Sequence, residues 1–149
     1  MKDKTLADLG ELAHEARNFL QGLERSQQGA TLVTLSGELG AGKTAFTKEV
    51  AVALGVGEHV TSPTFVLEKI YALPTNHLSF SRLIHIDAYR LKDGSELAAL
   101  GFDEAMADPD NLILLEWPER VADAVFNPTV RITLTPNEDG SRSITYHEG

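Results

Sequence analysis

One short segment of the sequence combines three glycines, a lysine and a threonine at a spacing suited to binding phosphate. It matches the pattern G-x-x-x-x-G-K-[ST] in full, through Gly37, Glu38, Leu39, Gly40, Ala41, Gly42, Lys43 and Thr44. Glycines let the backbone approach phosphate oxygens closely and point its N–H groups at them. The lysine supplies a charge for the outer phosphates, and the threonine hydroxyl can ligate Mg²⁺. The segment therefore predicts a phosphate-binding loop.

The residues on either side predict the elements that such a loop needs. Residues 31–36 are β-branched and apolar, which predicts a strand, and residues 44–54 predict a helix that Gly55 ends. A strand, a glycine-rich loop and a helix in this order form the P-loop, in which the positive end of the helix faces the phosphates. A chance Gly-rich turn is the alternative, but the full match in this context favours binding of a nucleoside triphosphate.

Two carboxylates are candidates for the acidic residue that accompanies a P-loop. Asp87 and Glu116 end two apolar segments, 83–87 and 111–116, each predicted to be a central strand. Ligands of open α/β sheets bind at the carboxyl ends of the strands. Such a carboxylate holds Mg²⁺ or its water, or orients the attacking nucleophile. Each could instead be an exposed strand-end carboxylate or a helix cap, and the roles of the two stay open.

Four further features lie near these segments. Residues 62–64, Ser-Pro-Thr, form a loop whose threonine either senses a γ-phosphate or belongs to a turn fixed by the proline. Arg90 could approach phosphates, but a structural or interface pair is favoured slightly. Trp117 is expected to pack beside the site rather than to act in catalysis. His85, between two isoleucines, is expected to lie on a strand and face a packed layer.

Composition limits the class of protein. The 149 residues contain no cysteine, which excludes disulfides and thiolate metal sites. No apolar run approaches the ~18 residues of a membrane span, and the first residues do not form a signal peptide. We therefore expect a cytoplasmic protein without membrane contact. The net charge of −9 argues against extended contact with nucleic-acid phosphates, although a partner protein could bring RNA nearby.

The pattern of the remaining chain predicts one domain over residues 1–149. Helical patterns cover 6–23, 95–100, 102–107 and 118–125, and strand patterns cover 65–71, 129–135 and 141–146. The predicted fold class is α/β, with a mixed, mostly parallel central sheet flanked by helices and a C-terminal antiparallel hairpin. The domain is a small P-loop NTPase with little room for a lid.

Four segments in order resemble the motifs of one family. The phosphate-binding loop resembles G-[DE]-L-G-A-G-K-T, and residues 62–65 resemble S-P-T-[FY]. Residues 85–90 resemble H-x-D-x-Y-R, and residues 116–117 resemble an E-W segment. This ordered set is similar to TsaE, formerly YjeE, the ATPase family of bacterial tRNA threonylcarbamoyladenosine synthesis. With the first helix and the last strands, the resemblance extends over nearly the whole chain.

The resemblance implies a small Mg²⁺-dependent ATPase of the bacterial cytoplasm. TsaE proteins bind the TsaB–TsaD complex, which modifies the adenosine following the anticodon in tRNAs that read ANN codons. ATP hydrolysis supports repeated cycles and does not itself transfer the threonylcarbamoyl group. The expected contact with tRNA is therefore indirect, through the complex, and turnover is expected to be slow without the partners.

The resemblance also implies roles for single residues. Lys43 would neutralise phosphates, and Thr44 and Glu116 would hold Mg²⁺. Asp87 would act on the water shell of the metal or on the attacking water. The expected nucleotide-binding set adds Thr5, ahead of the first helix, and Ala45 to the loop residues.

Two other classes of function compete with this one. A small-molecule P-loop kinase would need an acceptor pocket and an Arg-rich lid, and no such lid segment is visible. A nucleotide-dependent switch could bind ATP without useful hydrolysis, but binding alone does not require a second carboxylate.

Overall fold

Seven strands and four α-helices make up the fold in the computed structural model, which describes residues 2–26, 28–38, 40–57, 67–74, 80–124 and 127–148. The strands are β1 (Lys2–Leu6), β2 (Thr31–Ser36), β3 (Glu68–Ala72), β4 (Arg82–Asp87), β5 (Asn111–Glu116), β6 (Val130–Pro136) and β7 (Arg142–Glu148). The helices are α1 (Leu9–Gly22), α2 (Lys43–Ala53), α3 (Ser95–Ala99) and α4 (Phe102–Ala107), with a 3₁₀ helix, η1, over Pro118–Val121. None of these described helices is long and apolar enough to cross a membrane.

All seven strands belong to one sheet, in the order β1-β7-β6-β2-β5-β4-β3. At its centre β2 pairs in parallel with β5 and β6, and β5 pairs in parallel with β4. Antiparallel pairs lie toward the edges, where β3 pairs with β4 and the β6–β7 hairpin pairs with β1. The predicted mixed α/β sheet with its C-terminal hairpin is confirmed.

The central strands are buried on both faces because helices cover the sheet on each side. Every residue of β5 is buried, as are the first five residues of β2, which suits parallel strands covered by helices. One core lies between the sheet and α1 and α2, around Phe46 and Leu12. The other lies under α3, α4 and η1, around Ile113 and Leu115. The carboxyl ends of β2, β4 and β5 therefore meet at one edge of a rigid sheet.

The first element is a strand that the sequence analysis did not predict. The helical pattern predicts a helix from residue 6, whereas Leu6 ends β1 and α1 begins at Leu9. Asp8 caps the helix, because its carboxylate accepts a hydrogen bond from the Glu11 amide at 2.9 Å. The pairing of β1 with β7 joins the two ends of the sequence, and local periodicity carries no signal for such a long-range pair.

Other boundaries differ less from the predictions. Strands 31–36 and 111–116 are confirmed at both ends. The strand predicted over 65–71 is described only from residue 67, and it begins at residue 68. The helix predicted over 118–125 is wrong in type and length, because the chain makes one 3₁₀ turn that ends at Val121. The loop at 62–64 lies outside the described residues.

Phe46 tests the core beneath the phosphate-binding loop. Its ring is fully buried and packs against Phe19 of α1, with centroids 5.8 Å apart. Phe46→Ala is expected to lower the free energy of unfolding by about 3–5 kcal/mol, because it leaves a cavity between α2 and the sheet. Val52→Ala, on the exposed face of the same helix, is expected to change it by less than about 0.5 kcal/mol. Urea unfolding followed by circular dichroism measures both, and equal effects would contradict this packing.

Candidate active site

The phosphate-binding loop joins the end of β2 to the start of α2. Gly42, immediately before the helix, has a φ of 101°, a left-handed conformation that favours glycine. A β-carbon on Gly37 would collide with the backbone carbonyl of Leu134 on β6, so the neighbouring strand leaves no room there for a side chain. Leu39 lies outside the described residues. The N-cap of α2 makes no side-chain hydrogen bond, so the N–H groups of its first turn are available to an anion bound in this loop.

Lys43 is folded back over its own loop. It is only 5% exposed, and its Nζ donates hydrogen bonds to the backbone carbonyls of Gly37 and Glu38, the second at 3.4 Å. The same Nζ lies 3.7 Å from the centroid of the Trp117 ring, a cation–π contact. The loop thus holds its only lysine at the position where anionic oxygens would arrive.

The burial of Lys43, rather than the carboxylates around it, favours the arrival of an anion. Burial lowers the pKa of the Lys43 ammonium, and the carboxylates of Glu116, Glu119 and Asp87 offset part of that shift. A phosphate beside the ammonium would add negative charge and stabilise its protonated form. Binding of an anion therefore relieves part of the cost of burying this lysine.

Thr44 and Glu116 face each other at the floor of the site. The Thr44 hydroxyl lies 3.2 Å from each carboxylate oxygen of Glu116 and donates to that carboxylate. The parallel pairing of β2 with β5 sets Leu35 opposite Glu116, which brings the end of β5 beside the first turn of α2. Glu116 is only 2% exposed. Sequence analysis predicted both residues, and the structure brings them together.

His85 adds a contact that sequence analysis did not predict. The fully buried imidazole lies on β4, as expected, and its Nε2 donates to Oε2 of Glu116 at 2.5 Å. Its Nδ1 is buried and has no hydrogen-bond partner among the described residues. Because His85 and Asp87 stand two residues apart on one strand, they share a face of the sheet. That spacing was the available signal, and it could have placed the imidazole beside the carboxylates.

Asp87 lies next to Glu116 at the end of the neighbouring strand. The two residues are opposite each other in the β4–β5 register, and Asp87 is only 4% exposed. Its Oδ1 accepts a hydrogen bond from the Tyr89 amide at 3.0 Å. One cavity of about 310 Å³ is lined by both carboxylates together with Glu38, Gly40, Ala41, Gly42, Lys43, Thr44, Ala45, Tyr89 and Trp117.

Trp117 covers one side of this cavity, in agreement with its expected place beside the site. Its backbone is left-handed, with a φ of 61°, an uncommon and strained conformation for a large residue. The indole stacks at an angle on Tyr89, with ring centroids 5.0 Å apart, and the Arg120 guanidinium lies 5.3 Å from the Tyr89 ring. The aromatic pair thus connects Lys43 with a cationic side chain of η1.

Two further predicted positions lie away from the cavity. Thr5 is exposed on β1, opposite Ser143 of β7, and is not among the described residues that line the cavity. Arg90 is exposed in the turn after β4. Both assignments stay predictions.

The site has the donor set that a magnesium ion needs beside a nucleotide. The described residues include no group of three or more His, Cys, Asp or Glu side chains arranged to hold a metal. Mg²⁺ in phosphoryl-transfer sites keeps several waters and takes its other ligands from one or two side chains and from phosphates. The Thr44 hydroxyl and the Glu116 carboxylate are oxygen donors of that kind, and Asp87 lines the same cavity.

Comparison with known proteins identifies the family. The family model described as "Threonylcarbamoyl adenosine biosynthesis protein TsaE" matches residues 10–144. The chain belongs to the TsaE family. The matched residues include the phosphate-binding loop, Asp87 and Glu116, and they leave out Thr5.

Three relatives bear the name "tRNA threonylcarbamoyladenosine biosynthesis protein TsaE". The protein of Rickettsia prowazekii is 33% identical, over 90% of this chain and 89% of its own. The Treponema pallidum protein is 39% identical, over 77% of this chain and 80% of its own. The Bacillus subtilis protein is 37% identical, over 77% of this chain and 68% of its own. The fold is similar to the crystal structure of Bacillus subtilis YdiB, with a TM-score of 0.72, 26% identity and coverage of 99% of this chain and 84% of that one.

The contact between Lys43 and Trp117 should be visible in fluorescence. Trp117 is the single tryptophan of the chain, and the ammonium lies over its ring. Lys43→Met is expected to change the emission of the nucleotide-free TsaE family member, because it removes a charge from the indole face. Lys48→Met, on the same helix, is expected to leave emission unchanged. An identical spectrum for Lys43→Met and the wild type would contradict the contact.

The hydrogen bond between His85 and Glu116 should contribute to stability. His85→Leu is expected to lower the free energy of unfolding by about 1–3 kcal/mol, because the buried carboxylate loses a partner. His147→Leu, a half-buried histidine of β7, serves as the matched control and should have a smaller effect. Urea unfolding at neutral pH measures the difference, and equal stability of the wild type and His85→Leu would rule out this role.

Proposed function

We propose that this TsaE family member is a Mg²⁺-dependent ATPase that acts with the TsaB–TsaD complex. In this proposal it supports formation of N6-threonylcarbamoyladenosine next to the anticodon of tRNAs that read ANN codons. The contact between the Thr44 hydroxyl and the Glu116 carboxylate carries the proposal, because it joins the last residue of the phosphate-binding loop to a buried acid of β5. The names of the relatives support the choice of pathway.

The residues of the loop cavity divide the work of binding. The backbone of residues 37–45 cradles the phosphates, and Thr5 reaches the nucleotide from β1. Lys43 leaves the loop carbonyls that it now contacts and neutralises the outer phosphates. Thr44 and Glu116 hold Mg²⁺, which when bound neutralises charge on the β- and γ-phosphates.

Asp87 and Glu116 give the site a second function beyond binding. Their positions at adjacent strand ends put two carboxylates in the same cavity as Lys43, which supports a place for them beside the γ-phosphate. His85 fixes Glu116, and the Tyr89 amide fixes Asp87. Asp87 orients the attacking water or the water shell of the metal. A binding switch has no need of this pair, so hydrolysis is the better assignment.

The charge of the chain supports an indirect contact with tRNA. A formal charge of −9 opposes direct contact with an RNA backbone, so tRNA is reached through TsaB–TsaD. The partners complete or order the site, and hydrolysis by the isolated chain is slow. In this proposal the protein acts in the cytoplasm, together with its partners.

Steady-state ATP hydrolysis, measured with and without TsaB–TsaD, tests the proposal. The complex is expected to stimulate hydrolysis, and Glu116→Gln is expected to reduce the stimulated rate by roughly 10²-fold, the scale on which a positioned carboxylate contributes. Glu138→Gln makes the same change at an exposed turn between β6 and β7 and should leave the rate unchanged.

The controls separate the competing functions. Circular dichroism verifies that Glu116→Gln is folded, and omission of Mg²⁺ should abolish hydrolysis. Failure of a competent TsaB–TsaD pair to bind or stimulate the chain would refute the proposed partnership. Consumption of ATP that depends on a small-molecule acceptor would instead establish a kinase.

A further inference from the structure

Arg142 reaches the phosphate-binding loop from β7, which lies on the side of β2 away from β5. It is the first residue of β7 and lies opposite Leu6 of β1 and Pro136 of β6. Its side chain extends over Gly42, where a β-carbon would lie 3.0 Å from Cζ and 3.4 Å from Cδ of the arginine. The guanidinium therefore touches the last glycine of the loop, although 100 residues separate the two in sequence.

The guanidinium has no anionic partner within the described part of the chain. No carboxylate there pairs with it and no oxygen accepts a hydrogen bond from it. Lys4, Arg25 and Arg82 by contrast each contact a carboxylate. The chain has 22 acidic and 13 basic residues, so acidic partners are abundant. A half-buried guanidinium beside an anion-binding loop is stabilised when a ligand supplies the negative charge.

The sheet order places Arg142 and the carboxylates on different sides of the loop. β5 and β4, which carry Glu116 and Asp87, lie on one side of β2, whereas β6 and β7 lie on the other. In a P-loop the lysine reaches the β- and γ-phosphates, and the threonine hydroxyl binds the metal that they share. The γ-phosphate then lies toward Glu116, and the α-phosphate and nucleoside lead away toward β7.

We infer that Arg142 binds the α-phosphate of the nucleotide. This inference rests on the proposed ATP-binding function and adds a contact from the C-terminal hairpin to the loop residues. Lys43 and Arg142 divide the charge of the triphosphate, with the lysine at the outer phosphates and the arginine at the inner one. The planar fork of arginine suits two hydrogen bonds to one phosphate.

Calorimetric titration of Arg142→Gln with ATP, ADP and inorganic tripolyphosphate, each with Mg²⁺, tests the inference. All three ligands contain a phosphate at the α position, so their affinities should fall together, by roughly 10- to 100-fold. Arg142→Lys keeps the charge and should retain part of the affinity. Arg131→Gln removes the same charge from β6, at the strand end remote from the loop, and should leave all three affinities unchanged.

Each other result would overturn the inference. A loss of affinity for ATP alone would place Arg142 at the γ-phosphate. A loss of affinity for ATP and ADP, but not for tripolyphosphate, would place it at the base or ribose. Unchanged affinities would remove it from the site. If Arg142→Gln does not fold, the titrations of Arg142→Lys decide. A loss of affinity for all three ligands then supports the contact, and unchanged affinities refute it. Failure of the wild type to bind ATP would refute the proposed function instead, independently of Arg142.

Discussion

The parallel register between β2 and β5 is the constraint on which the site depends. It sets Leu35 opposite Glu116, so the chain that leaves β2 as the phosphate-binding loop passes directly beside the end of β5. A slip of one residue would turn Glu116 to the other face of the sheet. Both strands are buried on their two faces, and burial against helices on each side specifies this register strongly.

The same register brings several ionisable side chains together in a buried site. Lys43, His85, Asp87 and Glu116 are all less than a tenth exposed, and a buried charge without a partner is costly. The His85 and Thr44 contacts satisfy Glu116, whereas the Lys43 ammonium contacts loop carbonyls and an aromatic face within the described part of the chain. The buried Lys43 ammonium thus hydrogen-bonds no carboxylate among the described residues, and a phosphate beside it would stabilise its charge.

The sequence predicted the parts of this arrangement that depend on neighbouring residues, and it missed those that depend on contacts between distant segments. The β2–loop–α2 unit and the end of β5 are local patterns, and their predicted boundaries agree with the structure to within one residue. Asp87 and Glu116 were predictable because strand ends in an open sheet share an edge. The strand β1 was not predictable, because its partner β7 lies at the other end of the chain. The contacts of His85 with Glu116 and of Arg142 with Gly42 also join residues distant in sequence.

The edge strand β1 matters to the site because it secures the strand that carries Arg142. Glu15 of α1, only 4% exposed, accepts hydrogen bonds from Lys4 of β1, at 2.9 Å, and from the Tyr146 hydroxyl of β7. Burial and the Glu15 carboxylate raise the pKa of Tyr146, so this tyrosine stays a donor. One buried acid thus ties α1 to both outer strands. Because β7 is paired on two sides, by β1 and by β6, the position of Arg142 over the loop is set by tertiary packing rather than by the loop itself.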